Sequence, residues 1–138
     1  MAITNNLLFV YGSLMSTFNN PFSMVLQQNA TLIEKGFLKA KLYNVGSYPA
    51  AVLEFDSSQK VIGEIWEIID FEKTITYLDD YEGLFEPQPE YRRELVQIST
   101  TKNKTLECWV YLYNLNTNNL KLIPNGNYLE WITNKIQQ

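Results

Sequence analysis

The stretch Val61-Ile62-Gly63-Glu64-Ile65-Trp66-Glu67-Ile68-Ile69 decides the fold. An ordinary half-buried strand alternates apolar and polar residues, one face to the core and one to water. Here Ile62, Trp66 and Ile68 fall on one face and Val61, Ile65 and Ile69 on the other. Neither face is wholly solvated. A curled sheet or barrel with helices packed outside covers such a strand from both sides.

Working outward, Leu7-Leu8-Phe9-Val10 is a continuous apolar run and predicts a second buried strand, broken by Gly12-Ser13. Asn19-Asn20-Pro21 predicts a turn into a short helix that ends near Gln28. Residues 31 to 45 alternate loosely and predict one or two strands interrupted at Gly36, with a turn over Gly46-Ser47-Tyr48-Pro49. Residues 50 to 55 predict a strand, joined to the stretch from Val61 by a hairpin over Asp56-Ser57-Ser58-Gln59. Asp70 is placed to cap a helix, and Phe71, Ile75, Leu78 and Tyr81 share one face of it. Gly83 then ends that helix. Strands at about 91 to 99 and 106 to 113 flank a hairpin turn at Lys102-Asn103-Lys104. Residues 114 to 127, with six asparagines, predict a loop, and 128 to 135 a final helix.

Length and composition bound the chemistry. A chain of 138 residues fits one domain, spanning 1–138. Histidine is absent, which removes Ser-His-Asp and Cys-His catalysis, histidine-ligated zinc and imidazole pH switches. Cys108 is the single cysteine, so no internal disulfide or CxxC pair can form. Lying in the strand-like run Leu106 to Val110, it reads as a buried structural thiol. With 11 basic and 15 acidic residues the chain carries a net charge of -4 and suits neither nucleic acid nor an anionic membrane. No apolar run is long enough to span a bilayer, and the amino-terminal residues have no signal-peptide pattern, so a cytoplasmic location is expected.

Three clusters remain that can carry chemistry. At Tyr11-Gly12-Ser13-Leu14 a buried strand ends in small residues whose successive N–H groups can form a nest for a carboxylate or an oxyanion; a plain strand-ending turn has the same spacing. At Leu78-Asp79-Asp80-Tyr81-Glu82-Gly83 carboxylates crowd a helix C-terminus, where the dipole disfavours them. Glu82 lies four residues after Leu78, close to the apolar face. Burial, the helix end and Asp79 would raise its pKa toward that of a general base. A solvated acidic helix end fits the same spacing, and so does a magnesium or calcium site, although the DxDxDG pattern is missing. At Tyr91-Arg92-Arg93 an arginine can hold a substrate carboxylate, the acidic cluster or merely a neighbouring glutamate.

In order along the chain, Phe9-Val10-Tyr11-Gly12-Ser13-Leu14, Tyr48-Pro49-Ala50, Gly63-Glu64-Ile65-Trp66, Leu78 to Gly83 and Tyr91-Arg92-Arg93 resemble the gamma-glutamylcyclotransferase-like family. The family includes AIG2-like and gamma-glutamylamine cyclotransferase branches, and the likeness spans roughly residues 7 to 113. The resemblance implies an α+β domain with a small, mostly antiparallel β-barrel and flanking helices. It implies a reaction without cofactor or metal, in which a small-molecule gamma-glutamyl substrate cyclises to 5-oxoproline and releases its amine. Glu82 matches the family's catalytic glutamate, and Tyr11, Gly12, Ser13 and Leu14 match its substrate-binding loop. Two rival readings stay open. One is a module that binds such ligands in the same pocket without turnover. The other is an interaction protein, which predicts no closed pocket and an exposed aromatic patch around Tyr128 or Trp131.

Overall fold

The two-faced strand has a strand hydrogen-bonded along each of its edges. In the computed structural model, which describes residues 5–46, 48–54 and 58–137, that strand is β4 (Lys60–Ile68). It pairs antiparallel with β1 (Leu7–Val10) through Leu8 and Trp66, and with β2 (Ala30–Asn44) through Phe37 and Ile62. β1 pairs parallel with β6 (Thr105–Tyr113), and β6 pairs antiparallel with β5 (Tyr91–Thr100). β5 returns to β2 through Gly36–Thr100 and Phe37–Ser99. The order β2-β4-β1-β6-β5 therefore closes on itself, a five-stranded barrel with one parallel pairing. β3 (Pro49–Leu53) and β7 (Lys121–Ile123) extend it by pairing with the far end of β2. Helices α1 (Pro21–Asn29), α2 (Phe71–Tyr81) and α3 (Tyr128–Gln137) flank the barrel, an α+β arrangement.

Closure explains the double apolar face. Val61, Ile65, Trp66 and Ile68 are all buried, as are Phe9, Leu38, Ile98 and Val110 from the neighbouring strands. Each such side chain is worth about 1.5–3 kcal/mol when withdrawn from water. Ile69 departs from the expectation: it lies beyond the strand end, 79% exposed. Cys108 is fully buried, and burial, with Glu107 adding, pushes its thiol up to about 12.

Several local expectations are corrected. β2 runs unbroken through Gly36, and its irregularity is a bulge between Leu32 and Glu34. β3 and β4 form no hairpin with each other among the described residues; β3 pairs with residues 40–44 of β2 and β4 with residues 30–39. A 15-residue strand has length enough to serve both. Phe55, Asp56 and Ser57 of the expected connection, and Ser47 of the expected turn, lie outside the described residues. The asparagine-rich segment contains β7, too short to carry a period of its own. Asp70 occupies the cap position of α2 but makes no side-chain cap; its carbonyl accepts from Thr74 N–H instead. The capping box stands on α1, where Asn20 Oδ1 accepts from Phe22 and Ser23 N–H at 3.0 and 2.8 Å while Ser23 Oγ accepts from Asn20 N–H.

Candidate active site

The strand end of β1, the N-terminus of β3, the C-terminus of α2 and the start of β5 meet around one cavity of about 240 Å³. Tyr11, Gly12, Ser13 and Leu14 line it, and so does Glu82. The two clusters, nearly seventy residues apart in sequence, thus face a common space.

Glu82 owes its position to how α2 ends. Gly83 takes φ +80°, the left-handed conformation that glycine adopts without a Cβ penalty. Gly83 N–H then donates to Asp80 O at 3.1 Å and Leu84 N–H to Asp79 O at 3.0 Å, the paired bonds of a Schellman ending. Glu82 is the last residue before that reversal, one turn after the fully buried Leu78. Its carboxyl group faces the cavity without a hydrogen-bond or ion-pair partner among the described residues. Burial first, then the carboxylates of Glu90 and Asp79, push it up to about 8. A carboxyl group at that value sits where a general acid and base for neutral pH belongs.

Asp79 and Arg93 do different work. Arg93 grips Asp79 with two parallel bonds, Nε to Oδ1 at 2.8 Å and Nη2 to Oδ2 at 2.9 Å. Its guanidinium also lies 4.4 Å from the centre of the Trp109 ring. Tyr111 Oη donates to Asp79 Oδ1 at 2.7 Å, and Tyr11 Oη donates to Tyr111 O. Ala51 N–H in turn donates to Tyr11 Oη at 3.2 Å. This chain of bonds fixes α2 against β5, β6 and the loop after β1. Of the sequence alternatives, Arg93 holds the acidic cluster, whereas Arg92 pairs with Glu94 on the surface. Burial raises Tyr11 and Tyr111 well above the usual phenol range, with the nearby carboxylates of Glu82 and Asp79 adding to it, so both remain neutral donors.

The loop at 11–14 is held from three sides. Gly12 passes so close to Pro49 that a Cβ would come 2.8 Å from Pro49 Cγ. Ser13 Oγ lies 2.8 Å from Tyr81 Oη, and Asn20 Nδ2 donates to Ser13 O at 2.9 Å. Below it Glu64, itself buried, accepts from Ser16 N–H at 2.7 Å, from Ser16 Oγ–H and from Trp66 Nε1. So anchored, the N–H groups of Gly12, Ser13 and Leu14 donate to no acceptor among the described residues. All three residues line the cavity beside Glu82, and Met15 N–H closes a turn over them by donating to Gly12 O at 3.0 Å.

Two lining residues, Glu90 and Tyr111, escaped the sequence reading of the site, while Tyr81 and Tyr91 stood in its clusters without a role of their own. Tyr91 donates to Pro49 O at 2.6 Å, and Tyr48 donates to both oxygens of Glu90 at 2.8 and 2.9 Å. The alternation that puts Tyr91 and Arg93 on one face was the available signal; Glu90, in a proline-flanked loop, has none. No lysine or arginine is among the described residues lining the cavity. Tyr128 is buried and Trp131 partly buried, which removes the aromatic patch that the interaction-protein reading required. No helix among the described residues is long and apolar enough to cross a membrane.

Comparison with known proteins adds a family to this geometry. The profile described as gamma-glutamyl cyclotransferase, AIG2-like, matches residues 8–130. The gamma-glutamylcyclotransferase family protein YtfP of Escherichia coli K12 is 32% identical over 124 residues, 89% of this chain and 96% of its own. The ytfP family protein of Citrobacter rodentium is 33% identical over 124 residues, with 89% and 95% covered. Among solved structures, YkqA of Bacillus subtilis superposes with a TM-score of 0.75 at 24% identity, over 98% of this chain but 44% of YkqA. An aig2-like protein of Mus musculus superposes with a TM-score of 0.72 at 22% identity, over 89% of this chain and 87% of its own. At those identities the two structures speak to the fold alone.

Proposed function

This chain belongs to the gamma-glutamyl cyclotransferase, AIG2-like family, and from that premise we propose that it converts a gamma-glutamyl amine or amino acid to 5-oxoproline and a free amine. The observation that carries the reading is the unpartnered Glu82 carboxyl, raised to about 8, in one cavity with the free N–H groups of Gly12, Ser13 and Leu14.

The substrate's α-amine attacks its own γ-carbonyl carbon. A carbon–nitrogen bond forms and closes the five-membered ring. The bond from the same carbon to the leaving nitrogen breaks. Glu82 takes the proton that the attacking nitrogen loses and delivers one to the leaving nitrogen, so the cycle ends with its protonation unchanged. No water, redox partner or metal enters this balance. The Gly12–Leu14 N–H groups hold the anionic oxygen of the substrate, where preorganised donors are worth most. Because the attack is intramolecular, much of the remaining task is to fold a flexible glutamyl chain into attack geometry.

The test is 5-oxoproline release from a panel of gamma-glutamyl amino acids, gamma-glutamyl-ε-lysine, simple gamma-glutamyl amines and glutathione. Wild-type protein should release it from at least one, and Glu82→Gln should lower the rate by roughly a hundredfold or more, the usual contribution of a general base. A folded wild-type protein that binds such compounds yet releases nothing would refute the enzymatic reading and leave a binding module.

A further inference from the structure

The leaving amine must also fit the cavity, and the cavity's charge is one-sided. Glu82 and Glu90 both line it, and no lysine or arginine among the described residues does. The two nearby arginines are committed elsewhere, Arg93 to Asp79 and Arg92 to Glu94. Glu90 is held rather than loose: both its oxygens accept from Tyr48 Oη, and it immediately precedes the first residue of β5. Tyr48 is correspondingly pushed up to about 12, by burial and then by that bond and the charge of Glu90. Glu82 is engaged by the attacking amine. On the cyclotransferase reading the 12–14 amides serve an anionic oxygen of the glutamyl half. Glu90 is left as a fixed carboxylate with no lysine or arginine of the described residues paired to it.

We propose that Glu90 is a specificity-determining residue that selects leaving amines bearing a second positive charge, the class of gamma-glutamyl diamines and polyamines, and rejects leaving groups that end in a carboxylate. The inference rests on the cyclotransferase reading and deepens it. A cation brought beside Glu90 leaves the site less acidic as the reaction begins. A carboxylate brought there would face two like charges in a partly dehydrated cavity. At the effective dielectric of such sites, one unit charge several ångströms away changes binding on the order of tenfold in either direction.

Three compounds with one carbon chain isolate the effect: gamma-glutamyl-diaminobutane, gamma-glutamyl-butylamine and gamma-glutamyl-aminobutyrate, which end in an ammonium, a methyl and a carboxylate. The readout is kcat/KM for 5-oxoproline release. Wild-type protein should favour the ammonium compound over the carboxylate compound by tenfold or more, with the methyl compound between. The preference should weaken as salt is added. In Glu90→Gln the ratio should collapse toward one. A wild-type ratio near one, or a reversed one, overturns the proposal while leaving the cyclotransferase reading intact. A ratio unchanged in Glu90→Gln also overturns it, as does an equal loss on all three compounds, which would assign Glu90 to the glutamyl half of the substrate. Should Glu90→Gln fail to fold, the wild-type order of the three compounds still decides: any order other than ammonium, methyl, carboxylate overturns the proposal. Absence of turnover on all three by folded wild-type protein would remove the cyclotransferase reading and this inference together.

Discussion

Glu82→Gln should change how stability depends on pH, quite apart from what it does to activity. In the folded chain the Glu82 carboxyl is raised from 4.5 to about 8, by burial and then by the charges of Glu90 and Asp79. A folded pKa above the unfolded one means that the fold favours the protonated group. Below about pH 4.5 both states hold the proton and the contribution is complete. Between 4.5 and 8 the folded chain keeps a proton that the unfolded chain has released, so stability falls as pH rises. Above 8 the two states match again and the slope vanishes. At about 1.4 kcal/mol per pH unit the whole shift corresponds to a ceiling of about 5 kcal/mol. Because the side chain keeps some access to the cavity, about 2–3 kcal/mol is the expected realised change. Glutamine has nearly the same shape and does not titrate. Urea unfolding of both proteins at pH 4.5 and pH 9 isolates the term, because every other titrating group is shared. The wild type should lose that amount relative to the variant between the two pH values, with m-values unchanged. Parallel stabilities, within about 0.5 kcal/mol across the range, would show that the Glu82 carboxyl is not held protonated by the fold, and the acid–base argument built on it would fail.

The same group should appear in kinetics. Its deprotonated form is the base, so kcat/KM should rise with pH along a limb near 8, and Glu90→Gln should move that limb to lower pH by removing one of the charges that raise it. Arg93→Leu leaves Asp79 in its buried place without a counter-charge and should lower stability by about 3 kcal/mol in denaturant unfolding, the usual cost of breaking a buried pair from one side. Gly12→Ala forces a Cβ to within 2.8 Å of Pro49 Cγ, so it should cost about 1–3 kcal/mol in the same assay and raise KM by displacing the loop amides.

Much of this molecule was legible residue by residue. The double apolar face of residues 61–69 called for a curled sheet or barrel, because a strand buried on both faces needs cover on both. The step from Phe71 to Tyr81 with Gly83 behind it marked α2 and its end, because helical period and a left-handed glycine are local properties. The same crowding of carboxylates that singled out Glu82 comes from neighbours three residues apart. Other features were hidden for equally physical reasons. Gly36 reads as a break only if the strand is imagined alone; paired with Gly63 on one side and Thr100 on the other, it continues. β7 is three residues long and exists because the end of β2 offers it partners. Asp70 has the right chemistry for a cap, yet its carbonyl rather than its side chain serves the helix.

By itself, then, the sequence determined a curled sheet or barrel with cover on both faces, the helix that carries Glu82, the loop of small residues at 11–14, and the exclusion of histidine and paired-cysteine chemistry. These follow from composition and from periods read over a few residues. Only the tertiary structure decided that Glu82 and the 11–14 amides share one cavity, that Arg93 is spent on Asp79, and that Glu90 and Tyr48 complete the wall. The physical reason is that a pKa, a free donor and a pocket's charge are sums over neighbours in space, and in a closed barrel those neighbours come from segments dozens of residues apart.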